Sequence, residues 1–109
     1  MGAETYEEEL ARWQEAHLQA PTEPEPACEL AMLYLEKEED TWAQQALAPV
    51  LKAHPEHPRA NLCMAMALVK DAPERARGHV EKALQDSDPE GRRQAEALSR
   101  LLAETARPR

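Results

Sequence analysis

The 109-residue chain contains no phenylalanine, and its only aromatic side chains are Tyr6, Trp13, Tyr34 and Trp42. β-Branched residues are also scarce, so strands have little support, because those side chains normally fill a half-buried pleated surface. A core must then come from Ala and Leu at close helix contacts, and the expected fold class is all-α. No apolar run approaches the roughly 20 residues of a membrane-spanning helix. The acidic start lacks the basic and apolar regions of a signal peptide. Cys28 and Cys63, the only two cysteines, form neither a CxxC motif nor a zinc-ligand spacing. A reduced, cytoplasmic setting is expected, with both thiols acting as small apolar packing groups.

There is also no basic stripe. The formal net charge is -8, and it is unevenly placed. Residues 1–40 carry twelve acids against Arg12 and Lys37, about -10, whereas residues 41–109 carry nine acids against eleven bases, about +2. Phosphate recognition needs clustered Lys and Arg, so nucleic acid is not an expected partner. With 42% hydrophobic residues, the chain suits one domain with its own core and is too short for a large enzyme with a lid.

What is present is helical periodicity. Ala27, Leu30, Ala31 and Tyr34 fall at i, i+3, i+4 and i+7, one face of a helix. Ala43, Leu47 and Val50 do the same before Pro55 stops the run. Shifting the first set by 34 gives Asn61, Met64, Ala65 and Leu68, and shifting again gives Ala95, Leu98, Ser99 and Leu102. The second set recurs after 33 residues as Ala76, Val80 and Ala83, one residue having been lost from the intervening turn. Shifted backwards by 34, Leu47, Val50 and Pro55 fall on Trp13, Ala16 and Pro21, while Ala43 maps poorly onto Glu9.

This pattern resembles the tetratricopeptide repeat, a helix-turn-helix unit of about 34 residues. The family's usual Trp and Gly positions are occupied here by Ala27 and Ala31, and a small residue still lets helices approach closely. The resemblance covers roughly residues 7–104. It implies antiparallel helix pairs stacked as a short right-handed solenoid of about six helices. Residues 4–20 form a half repeat, 24–57 and 58–90 two full repeats, and 91–106 a capping helix with Arg92, Arg93, Glu96 and Arg100 toward water. Arg107 to Arg109 are expected to fray.

Punctuation between the helices is specific. Pro21, Pro24 and Pro26 with Glu23 and Glu25 read as a rigid polar connector, with Pro26 in the first helical turn. Glu36 to Asp40 read as a solvated turn without a basic partner in sequence. Pro49 should bend or break the helix it lies in. Asp71 with Glu74 reads as a capping pair, Gly78 as a mark of close helix contact, and Ser87-Asp88-Pro89-Glu90 as a further helix start.

Each first-type helix carries a second apolar row, Cys28, Met32 and Leu35 in one and Leu62, Met66 and Val69 in the next. In the tetratricopeptide family this face lines a concave groove that holds peptides or partner helices. The resemblance therefore implies a non-catalytic interaction module. Its candidate site is Cys28, Met32, Leu35, Leu62, Met66 and Val69, with Arg59 and Lys70 as the nearby cations. Met suits such a surface because its thioether adapts to different shapes. The family's carboxylate clamp uses Lys, Arg and Asn on this face, so an acidic peptide tail is not the expected ligand.

The expected partner is a protein or peptide, self-association included, and membrane insertion is not expected. Shielding of an aggregation-prone client segment, or homo-oligomerisation and docking, are the alternative roles. His17, His54, His57 and His79 are scattered, and none lies beside a nucleophile in a known motif. Pro55 and Pro58 break the helix that would align His54 with His57, and no third ligand is evident. No catalytic residue, metal or cofactor is therefore expected.

Overall fold

The computed structural model describes residues 3–105, and among these it is all-α with six helices and no strand. The helices are α1 (Tyr6–Gln19), α2 (Pro24–Glu36), α3 (Asp40–Ala53), α4 (Pro58–Leu68), α5 (Pro73–Ala83) and α6 (Pro89–Thr105). Each packs on its neighbours in sequence, and the first-type helices α2, α4 and α6 also touch in series. The resulting repeat-like stack measures 50 × 27 × 25 Å. Arg107 to Arg109, where fraying is expected, lie outside the described residues.

Burial follows the sequence period. Ala27, Asn61 and Ala95, spaced by 34, are all fully buried. The pairs Ala43/Ala76, Leu47/Val80 and Val50/Ala83, spaced by 33, are buried as well. One large cluster joins α2 to α5 through Ala27, Ala43, Leu47, Val50, Ala76 and Val80 with Cys28, Cys63 and Leu68, and reaches Leu102. A smaller one places Leu62 of α4 against Ala83 and Ala95. Helix α1 contributes no buried residue. Side-chain contacts on α2 tie it down: the Tyr6 hydroxyl donates to the Leu33 carbonyl at 2.7 Å, and the Gln14 amide donates to the Tyr34 hydroxyl at 3.1 Å.

The helix ends show how the turns are made. A capping box starts α1, with Thr5 accepting from the Glu8 N–H while Glu8 accepts from the Thr5 N–H. Proline occupies the first turn of α2, α4 and α5, where the missing N–H has no helical partner to lose. Helix α2 begins at Pro24, so Pro26 also falls in its first turn. Helix α3 passes through Pro49 unbroken.

Two local expectations are corrected, and a third gains detail. Asp71 does not cap α5: Ala72 holds that position, with no side-chain bond. Gly78 marks no close contact, since a Cβ there would meet nothing within 4 Å. The turn after α2 is solvated, with Glu36 to Glu39 exposed, and it is also ordered, because Glu38 has φ 58° and closes a hydrogen-bonded stop. The Glu39 N–H donates to the Tyr34 carbonyl at 2.9 Å and the Glu38 N–H to the Leu35 carbonyl at 3.1 Å, the two bonds of a Schellman ending. Glu38 also has a basic partner, Lys70 at 3.2 Å, with both side chains exposed.

Two substitutions test this reading. Gly78→Ala should raise unfolding stability by about 1 kcal/mol, since the site is helical and open. Glu38→Gly should raise it by up to about 1 kcal/mol, relief of the left-handed backbone outweighing the exposed ion pair. Urea melts measure both, and a loss at either site would contradict the geometry described.

Candidate functional site

The eight residues of the second apolar row and its flanks divide by depth. Met32 is 39% exposed. Leu35, Met66 and Val69 are half-buried, packed on the core beneath. Cys28 and Leu62, at 0% and 5% exposure, are not on an open groove wall. Their expected place is therefore corrected, and the cause is the close approach of α2, α4 and α6: Cys28 joins the main core and Leu62 is roofed by Ala95 of α6. What remains at the surface is a narrower strip of Met32, Leu35, Met66 and Val69.

Both flanking cations are paired. Arg59 reaches Glu29 at 2.6 Å across α2 and α4, and Lys70 reaches Glu38 at 3.2 Å. The strip is thus bordered by two exposed ion pairs that bridge neighbouring repeats. Around Arg59 lie two hollows. One, of about 340 Å³, is bounded by Glu23, Glu25, His57 and Arg59 over Cys28. The other, of about 320 Å³, is bounded by Arg59, Asp86, Asp88 and Glu90 over Leu62. Apart from Arg59 and His57 the ionisable side chains of this rim are acidic, and carboxylates are favoured there by the N-terminal ends of α2 and α6.

The two thiols are neighbours. The Cys63 side chain hydrogen-bonds Cys28 and draws the Cys28 thiol below its ordinary range, with the Arg59 charge adding to the effect. That same bond, reinforced by burial, pushes Cys63 up. Cys28 is fully covered, so the pair packs the α2–α4 contact rather than facing a substrate. Among the described residues no three His, Cys, Asp or Glu side chains gather as metal ligands, and no helix is long and apolar enough to cross a membrane.

A polar centre that periodicity hid lies at the boundary between repeats. Asn61 occupies the slot held by Ala27 one repeat earlier and is fully buried. Its amide donates to the carbonyls of Pro55 at 3.0 Å and His57 at 2.8 Å. Its oxygen must therefore accept from His79, whose Nδ1 lies 2.8 Å away. His57 caps α4, its Nδ1 accepting from the Ala60 N–H at 3.1 Å. His17 Nδ1 is buried with no partner. The only sequence signal for this centre was an amide at a position that the repeat fills with alanine.

No protein-family model matches the chain, and comparisons with curated proteins and with solved structures find no match either.

Burial lowers His17, His57 and His79 below their ordinary value of 6.5. Between the folded values and 6.5, the unfolded chain binds more protons than the folded one, so stability must fall on acidification. The stabilising contribution is complete above about pH 6.5 and is lost below it. The thermal midpoint should therefore drop between about pH 7.5 and about pH 5.5. His57→Asn, which keeps a good cap without a titrating ring, should flatten that slope, and an unchanged slope would remove His57 from the account.

Proposed function

We propose that this chain is a non-catalytic, tetratricopeptide-like interaction module. It holds a partner's amphipathic helix or extended peptide against the strip formed by α2 and α4. The observation that carries the reading is the recurrence, on adjoining first-type helices, of partly exposed apolar residues: Met32 and Leu35 on α2, Met66 and Val69 on α4. Burying one such side chain fully contributes about 1.5 to 3 kcal/mol. Two or three of them offset part of the cost of association and leave useful affinity. Cytoplasmic residence belongs to the same proposal.

The ion pairs at the strip's borders support its use as a docking face, because they give polar edges to an apolar centre. Arg59 and Lys70 are already neutralised by Glu29 and Glu38, which makes a strongly acidic ligand a poor fit. A segment with apolar residues at helical spacing and neutral or basic flanks matches the strip and the acidic N-terminal half around it.

Met32 is the residue to change, since its exposure lets a charge be solvated in the free protein. Met66 is half-buried and would confuse binding with folding. Met32→Glu should leave the thermal midpoint within experimental error. It should also weaken partner binding at least about tenfold, or ~1.4 kcal/mol, because docking would strip water from an unpaired carboxylate. The check is affinity capture from the source cell with both forms, followed by calorimetry on what the wild type retains. If both forms bind every partner equally, the strip is not the docking face.

A further inference from the structure

The geometry points to a second docking surface, an aromatic hollow where α1, α2 and α3 meet, which seats an arginine side chain presented by a basic segment of a partner protein. It shares no residue with the Met32–Val69 strip and does not depend on its use.

The hollow, of about 200 Å³, is lined by His17 of α1, Leu30 and Tyr34 of α2, and Trp42, Gln45 and Ala46 of α3. Its composition follows from helical spacing. Leu30 and Tyr34 are one turn apart, and Trp42, Gln45 and Ala46 fall at i, i+3 and i+4, so each helix turns one face to it. Leu30 and Ala46 are buried and form an apolar base. The Tyr34 and Trp42 rings stand with centroids 6.2 Å apart and planes inclined by 37°, yet Trp42 remains 56% exposed. An exposed tryptophan beside a hollow is the kind of side chain that anchors an interface.

Two features make the occupant a cation. The first is the use this chain makes of its other rings: the Arg12 guanidinium lies 4.6 Å from the Trp13 centroid, and the Lys37 ammonium 4.7 Å from that of Tyr6. Among the described residues no cation stands over Trp42 in this way. The second is local charge, since residues 6–53, which span α1 to α3, hold eleven acids against Arg12, Lys37 and Lys52. That field draws a basic segment toward the hollow.

The polar rim selects a guanidinium among cations. The Tyr34 hydroxyl accepts from the Gln14 amide at 3.1 Å and keeps a further lone pair, and the Gln45 amide is exposed. Burial holds the His17 ring neutral, and no hydrogen bond fixes its Nδ1, so a turn about the ring's attachment brings an accepting nitrogen to the hollow. Three neutral acceptors thus border an aromatic face. A planar guanidinium stacks on Trp42 and donates sideways to them at once, which a compact ammonium does less well. An apolar side chain would leave them unpaired.

Nuclear magnetic resonance on the purified chain tests this with the peptide acetyl-Gly-Arg-Gly-amide as probe, read at the Trp42 indole N–H and the Gln45 and Ala46 backbone amides. Those signals should shift saturably, and the apparent affinity should fall as salt is added. The same peptide with citrulline, which keeps the shape without the charge, should bind at least about fivefold more weakly. A leucine version should do the same. Trp42→Ala removes the stacking face at an exposed position and should abolish the Gln45 and Ala46 shifts. Should that variant lose helicity, Gln45→Lys replaces it, setting a competing cation at the rim without touching either ring. Shifts that do not saturate, equal binding of the citrulline or leucine peptide, or shifts that survive in a folded Trp42→Ala or Gln45→Lys protein would each overturn the proposal.

Discussion

Close approach of helix backbones is the condition on which this molecule rests. Ten of the 21 buried hydrophobic residues among those described are alanine, and a methyl group removes little apolar surface from water. Stability must then come from many short-range contacts between helices whose side chains do not hold them apart, each contact small and the sum large. Such a core has little tolerance for added volume, because a larger side chain at Ala31, Ala65 or Ala76 pushes two helices apart rather than filling a gap. The same closeness brings α2, α4 and α6 into series and covers Cys28 and Leu62.

The fold was legible because burial on a helix is periodic and the period was written twice. Ala27, Leu30 and Ala31 return as Asn61, Met64 and Ala65, and the shortened offset of the second-type helices correctly aligns Ala43 with Ala76. Depth was less legible. Periodicity assigns a residue to a face, but how far a neighbour covers that face depends on interaxial distance, so Cys28 and Met32 looked alike in sequence and differ in the structure. Features made by single backbone conformations or by partners distant in sequence were also hidden. Glu38 in its left-handed turn, the Lys70 ion pair and the bond between Asn61 and His79 are of that kind.

The polar centre at the repeat boundary has a different role from the alanine contacts around it. Asn61 joins the α3–α4 turn, through the Pro55 and His57 carbonyls, to α5 through His79. An apolar side chain could fill that volume but could not pair with those groups, and a slipped register would leave buried donors or acceptors unsatisfied. The centre therefore fixes which arrangement of helices is native, while apolar burial supplies most of the driving force. His57 and Asn61 both act on the start of α4, so the cap and the buried amide constrain the same turn.

Helix α1 stands apart because none of its residues is buried as a whole. Its hold on α2 consists of two side-chain hydrogen bonds, the Lys37 ammonium 4.7 Å above the Tyr6 ring, and half-buried apolar contact. Local opening free energy scales with what must be exposed, so α1 can lift away while the cluster joining α2 to α5 stays intact. Under a load applied at the N-terminal end, the molecule would not yield as a unit. It would peel, surrendering one helix at low force and keeping the remaining stack as a separate, stiffer mechanical element.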